Sequence, residues 1–300
     1  DYTSPQEPER IVTMLEGIRE KGRAEAVYVK GCSVRNEADA DIELAVKTAQ
    51  SADAVGLVVG GSSARDSNSS FTQATESLSD MECGEGYDRC TLDLLGKQNE
   101  LMEAVYSLGK PVVTVYVEGR PLLKNLAAEK SNALLTLWYP GMEGGSALAD
   151  ILWGDYNPAG RLPISIPRSV GQIPVYYSQP NCSDYVEGTS KPLFAFGYGL
   201  SYTQFEYSDL QVEENINNAD SLFVVSCSVK NIGDYDGDEV VQLYVRDEKA
   251  SVTPPSKLLK GFKRVHINGG QKVSVSFVLS FLFFLINRGV KGECKFMPES

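Results

Sequence analysis

Histidine is nearly missing: one, His266, in 300 residues. A Ser-His-Asp triad therefore has a single candidate base. It stands among strand-forming residues beside the turn signal Asn268-Gly269-Gly270, where an ordinary core or surface imidazole is the expectation. Cysteine adds no metal site. Cys32, Cys83, Cys90, Cys182, Cys227 and Cys294 contain no CxxC pair, so the clustered ligands of a tetrahedral zinc are absent and no metal is expected. Cys83 and Cys90 are near enough in sequence to leave free thiols and a disulfide both open. Basic residues are outnumbered, 28 Lys+Arg against 40 Asp+Glu, for a formal net charge of −12 and a sequence pI of about 4.7. Such a surface repels phosphate backbones, which excludes nucleic acid as a partner and suits a neutral substrate such as a sugar. The longest apolar run, Phe277 to Ile286, is far short of the roughly 20 residues that cross a bilayer, so no membrane span is expected. There is no initiator methionine and no signal-like segment; Asp1-Tyr2-Thr3-Ser4-Pro5 reads as internal sequence of a longer protein.

What is present suffices for two ordinary domains: 42% of residues are hydrophobic and 23% charged. Up to about residue 168 the pattern alternates between helix and strand. Helical spacing runs from Pro8 to Lys21, Asp39 to Ala52, Gln98 to Leu108 and Ser146 to Trp153. Strand-like runs cover Ala26 to Lys30, Ala54 to Val59, Pro111 to Val117 and Ala133 to Trp138. This alternation predicts an α/β domain with a mostly parallel sheet covered on both faces. Residues 169–203, rich in Pro, Gly, Tyr and Ser, read as a connector packing on that domain. Beyond them the period changes to two. Leu222 to Ser226, Val240 to Val245 and Val273 to Phe277 alternate as half-buried strands, with turns at Asn231-Ile232-Gly233-Asp234 and Asn268-Gly269-Gly270. Residues 204–300 are thus expected to form an all-β sandwich of fibronectin or immunoglobulin type.

In open α/β sheets ligands gather beyond the carboxyl ends of the strands. Three loops leave those ends here: Gly60-Gly61-Ser62-Ser63, Glu118-Gly119-Arg120 and Tyr139-Pro140-Gly141. The first opens an excursion to Leu92, a length usual for functional segments. A phosphate-cradle reading of Gly-Gly-Ser-Ser fails for want of a P-loop lysine and spacing. The same excursion carries Met81-Glu82-Cys83-Gly84-Glu85-Gly86-Tyr87-Asp88-Arg89, three acids with two glycines, an aromatic ring and an arginine. Two readings stand side by side. The acids solvate a surface loop in which Arg89 pairs with one of them, or the loop presents a carboxylic acid that protonates a leaving oxygen, as glycosidic cleavage requires.

Several segments together resemble glycoside hydrolase family 3, the β-glucosidase and β-xylosidase group. They are Glu85 to Arg89 with Leu92-Asp93-Leu94 and Gln98; Gly109-Lys110-Pro111-Val112-Val113; Gly119-Arg120-Pro121; Trp138 to Gly145 with Ala149 to Asp155; Asn157 to Pro163; and Phe196 to Tyr202. The resemblance covers nearly the whole chain and matches the C-terminal portion of such enzymes. It implies a retaining, exo-acting β-glycosidase that hydrolyses terminal non-reducing β-linked sugars from oligosaccharides or glycosides. The parent would be built from a (β/α)8 barrel, an α/β sandwich domain (residues 1–168 here) and a fibronectin type III-like domain (204–300). The barrel and its nucleophilic aspartate are expected outside this chain, so no residue here takes the nucleophile's role. The acid/base glutamate maps onto Glu85, with Glu82 as the alternative, and Asp88-Arg89 shapes the loop. No metal or organic cofactor is implied.

From a different class of function, the 300 residues form a non-catalytic carbohydrate-binding or domain-packing module. Asn68-Ser69-Ser70 and Asn181-Cys182-Ser183 match glycosylation sequons, meaningful only in a eukaryotic secretory host. A bacterial parent is expected to be periplasmic or secreted.

Overall fold

A computed structural model describes residues 7–63, 80–180, 182–214, 223–247, 253–279 and 292–296. The sequons at Asn68 and Asn181, the start at Asp1 and the apolar run beyond Leu279 lie outside the described residues. The chain divides into two compact units, 1–153 with 166–173, and 154–165 with 174–300.

The first unit is built on a parallel sheet of β1 (Val55–Gly60), β2 (Val112–Val117) and β3 (Ala133–Thr136), in the order β1-β2-β3. Val55 lies opposite Val112 and Val113 opposite Ala133. Around it run α1 (Met14–Glu20), α2 (Ile42–Ser51), α3 (Gln98–Tyr106), α4 (Asn125–Lys130) and α5 (Gly144–Leu152). Leu57, Val59, Val112 and Tyr116 of the sheet pack with Leu101, Met102 and Val105 of α3 and Ala127 of α4. This is the parallel, helix-flanked core that the β/α alternation predicts, but among the described residues β1 is covered on one face only: Leu57 and Val59 are buried while Val58 is 50% exposed.

Two local expectations change. The helical spacing from Pro8 to Lys21 breaks into a 3-10 turn, Pro8–Arg10, and α1. Thr13 starts α1 with a capping box: its hydroxyl accepts from the Glu16 amide while the Glu16 carboxylate accepts from the Thr13 amide. The backbone of Val12 is meanwhile engaged by Met142 and Gly145, so the helix has no amide to extend through. A Cβ on Gly17 would stand 2.3 Å from the Gly145 carbonyl oxygen, so glycine is what lets α1 and α5 cross. The second change is Ala26 to Lys30, which forms no strand. Its apolar pattern is strand-like, yet no neighbouring strand among the described residues accepts its ladder bonds, and Val27 and Tyr28 stay 67% and 64% exposed.

The second unit holds two antiparallel three-stranded sheets. One has the order β4 (Phe205–Glu214), β5 (Phe223–Asn231), β8 (Lys272–Leu279); the other β7 (Leu258–Ile267), β6 (Gly237–Asp247), β9 (Gly292–Phe296). Their inner faces share one core of Val225, Cys227, Val229, Val241, Leu243, Ile267, Val275, Phe277 and Leu279, which makes the unit a β-sandwich. At its turn end the buried Asn231 side chain donates to the Tyr235 and Ile267 carbonyls and accepts from Thr203 Oγ1 and the Gly233 amide. His266, on β7, is exposed and bonded to Asp238, an ordinary surface imidazole.

Candidate active site

The carboxyl ends of β1, β2 and β3 lie side by side in the first unit, and the acidic nonapeptide is tied to them from below. Gly60 ends β1 with φ 146°, and a Cβ there would stand 1.8 Å from the Val117 carbonyl oxygen. Gln98, at the start of α3, closes the turn. Its side chain accepts from the Gly60 amide at 2.8 Å and donates to the Gly60, Val34 and Leu95 carbonyls. The neck of the excursion is closed by the Glu82 amide donating to the Ser62 carbonyl at 2.8 Å. From the other side Arg35 donates to the Met81 carbonyl and to the Asp80 carboxylate.

Glu82 and Glu85 then part company. Glu82 is 3% exposed and its carboxylate is ion-paired with Arg89, itself fixed by the Asp93 carbonyl. The carboxylate also lies against Gly61, where a Cβ would meet Glu82 Oε1 at 2.2 Å. An acid therefore fills the space in which the Gly-Gly-Ser-Ser loop would have cradled a phosphate. Among the described residues Glu82 Oε1 has no hydrogen-bond partner, a feature set by its burial and carried by no local pattern.

Glu85 stands on the outside. Gly84 to Tyr87 makes a tight turn closed by the Tyr87 amide donating to the Gly84 carbonyl at 3.1 Å. Gly86, third in the turn, takes φ 77°, while Glu85 keeps a negative φ. That is the pattern of a type II turn, in which only the third residue must be glycine-like. Tyr87 is 5% exposed and anchors the turn inward, leaving Glu85 exposed at its tip.

The other two loops close on this one. Asp88 accepts from Arg120 at 3.3 Å, across from the loop after β2. The Arg89 backbone amide and then the Arg120 guanidinium hold the Asp88 carboxyl below its usual value. Tyr139, after β3, meets Cys83 Sγ at 3.3 Å. Burial foremost, with that thiol beside it, pushes the tyrosine up to about 12, and burial likewise raises Cys83. Cys83 and Cys90 are both free thiols. The residue before Tyr139, Trp138, adopts φ 53°, uncommon for a bulky side chain and found where surroundings over-determine the backbone. The β2 loop has its own buried lock: Glu118 pairs with Lys124 at 2.6 Å and accepts from the Leu122 amide and Thr136 Oγ1.

The sequence places Glu82, Glu85, Asp88 and Arg89 in one loop; the structure adds Gln98, Arg120 and Tyr139 as its partners. The signal for Arg120 was its place directly after a buried strand, in Glu118-Gly119-Arg120. Nothing local marks Gln98 as the plug of β1, because that role needs the strand end and the helix start brought together. Among the described residues no cluster of three metal-ligating side chains occurs, and no helix is long and apolar enough to cross a membrane.

Comparison with known proteins places this geometry. The Glycosyl hydrolase family 3 C-terminal domain matches residues 1–202, and the Fibronectin type III-like domain matches residues 239–281. A β-xylosidase of Formosa agariphila is 41% identical over 282 residues, covering 91% of this chain and 37% of that protein. A periplasmic β-glucosidase of Salmonella typhimurium is 36% identical, covering 89% and 37%. Among solved structures, a β-glucosidase from Listeria innocua in complex with glucose superposes with a TM-score of 0.76 at 34% identity, over 91% of this chain and 37% of that one. The chain belongs to glycoside hydrolase family 3, as its C-terminal portion: the α/β domain followed by the fibronectin type III-like domain. It spans about 37% of the length of the β-xylosidase and β-glucosidase it matches.

Proposed function

We propose that this chain supplies the general acid/base, Glu85, of a retaining exo-acting β-glucosidase or β-xylosidase, and that the nucleophilic carboxylate comes from polypeptide outside these 300 residues. The observation that carries the reading is the division of labour between the two glutamates. Glu85 is exposed at the tip of a turn, where a bound glycoside can reach it. Glu82 is buried against Arg89, where a proton cannot be handed to a substrate. The chemistry follows in two steps. Glu85, protonated, gives its proton to the glycosidic oxygen as the external carboxylate attacks the anomeric carbon and the leaving group departs. Glu85, now ionised, takes a proton from water as that water attacks the same carbon and frees the carboxylate. The substrate is a terminal non-reducing β-linked sugar, in keeping with the names of the relatives. A periplasmic or secreted location follows the same analogy.

The test is Glu85→Gln in the full-length protein. Rates on alkyl or sugar glycosides should fall by about 10²–10⁴. An activated aryl glycoside should be cleaved with a smaller loss in the first step, and azide should restore its turnover. The isolated 300 residues should show no turnover of either substrate, since one carboxylate cannot make and break a glycosyl-enzyme. Activity of the isolated chain, or a Glu85→Gln enzyme with full rate on alkyl glycosides, overturns the assignment.

A further inference from the structure

We propose that Arg120 is a positioning residue for the acid/base: by holding Asp88 it fixes the turn on which Glu85 stands. The inference rests on the reading of Glu85 as the acid/base and adds the device that aims it.

The turn is flexible by composition. Glu85 has glycine on both sides, and Gly84 and Gly86 take φ 129° and 77°, so its backbone is the least restricted in the loop. The Glu82–Arg89 pair and buried Tyr87 fix the inner side of the loop in depth. The outer side faces the loop after β2, where Asp88 Oδ1 accepts from Arg120 Nη1 at 3.3 Å.

Arg120 is suited to act as the fixed end. The carboxylate of Glu118 binds Lys124 and the Leu122 amide beneath it, and the Arg120 carbonyl accepts from the Leu122 amide at 2.8 Å. On the side of β3, the Tyr139 ring leaves no space for a side chain at Gly119, where a Cβ would lie 2.6 Å from the ring. The backbone around Arg120 is thus set from two sides, by the Leu122 amide shared between Glu118 and Arg120 and by the Tyr139 ring against Gly119, and its long side chain reaches out to Asp88. Asp88 is the opposite case: its side chain is 92% exposed. An ion pair of this kind adds little to stability. It still acts on catalysis, because a reacting group displaced by 1 Å loses far more rate than fold.

The test is a set of variants in the full-length protein: Arg120→Ala, Arg120→Lys, Asp88→Ala and the Arg120→Ala/Asp88→Ala double, with Glu85→Gln alongside. Alkyl and 2,4-dinitrophenyl β-glycosides are the substrates. Arg120→Ala and Asp88→Ala should each lower kcat/KM on the alkyl glycoside about fivefold, with a much smaller loss of kcat/KM on the dinitrophenyl glycoside, whose first step needs little protonation. The double variant should be no worse than either single one, and Arg120→Lys should keep most of the rate. Additive losses in the double variant, equal losses on both substrates, or no loss from Asp88→Ala overturn the proposal. Asp88→Ala, at an exposed position, decides the matter even where Arg120→Ala folds poorly. Glu85→Gln separates the two readings. If it lacks leaving-group dependence, the acid/base assignment falls; if it shows it and Asp88→Ala does not, only the positioning role falls.

Discussion

Glu82 and Glu85 differ in surroundings far more than in sequence, and each should respond to substitution in its own currency. Glu82 shares its buried site with Arg89, whose side chain is 5% exposed. Removing the carboxylate's charge leaves the guanidinium uncompensated, which costs about 3–5 kcal/mol. Glu82→Gln should therefore lower the thermal midpoint, followed by circular dichroism, without producing the leaving-group dependence expected of Glu85→Gln. Gly61→Ala should act in the same direction, because its methyl meets Glu82 Oε1 at 2.2 Å and must push the carboxylate off Arg89. A Glu82→Gln protein as stable as its parent would show that the pair contributes nothing. From sequence the two acids were alternatives three positions apart; the structure shows that they differ in burial, which depends on Arg89 and Gly61 around Glu82 and which no local pattern reports.

At the scale of elements, long apolar runs between glycines were readable. The runs from Ala54, Pro111 and Ala133 became β1, β2 and β3 with ends shifted by one or two residues, because short, continuous apolar runs bounded by turn signals mark the strands of a parallel sheet. The helices over 42–51, 98–106 and 144–152 followed from their apolar spacing. What escaped was short or two-sided. α4 is only Asn125–Lys130, too brief for periodicity to register. β4 is exposed along most of its length, so its composition is polar. β7 mixes lysines and arginines with its apolar residues, which hides its alternation. Ala26 to Lys30 erred the other way, for a strand is defined by its neighbour. In the site, the acidic loop was legible by composition, whereas the Gln98 plug and the Arg120 tie join residues remote in sequence.

The loop between β2 and α4 offers a test at this scale. Glu118 and Lys124 are both fully buried. Burial raises the Glu118 carboxyl and lowers the Lys124 amine, each against the pull of its partner. Lys124→Met should destabilise the protein by about 3–5 kcal/mol, and adding Glu118→Leu should recover most of that, since an apolar pair avoids the desolvation of two charges. Urea denaturation of the single and double variants measures both. A double variant no better than the single would mean that the loop needs the Glu118 hydrogen bonds to Leu122 and Thr136 more than it needs neutrality.

Over the whole molecule, acidity sets the window of stability. Lys30 beside Asp39, the Ser190 amide beside Asp184 and Lys272 beside Asp209 each hold a carboxyl below its usual value. A depressed carboxyl stabilises the fold above the unfolded value of about 4, and that contribution fades as pH falls through the folded value. His266 runs the other way. Its bond to Asp238 raises it, so its contribution is complete below the unfolded value of about 6.5 and is lost as pH rises through the folded value. The thermal midpoint should thus be greatest between about pH 4 and 6.5, with a modest fall on either side because these groups are exposed. His266→Asn should abolish only the alkaline decline. A profile that rises steadily from pH 5 to 8 would contradict this.

The neck formed by Ser62, Glu82 and Arg35 also bears on how the chain tolerates changes of length. The Glu82 amide bonds the Ser62 carbonyl, and Arg35 grips Asp80 and Met81, so the described residues on the two sides of positions 64–79 are tied to one another. Doubling the length of a closed loop costs only about 0.6 kcal/mol. A change in the number of residues between 63 and 80 should therefore cost the fold little as long as these ties at its two ends are kept.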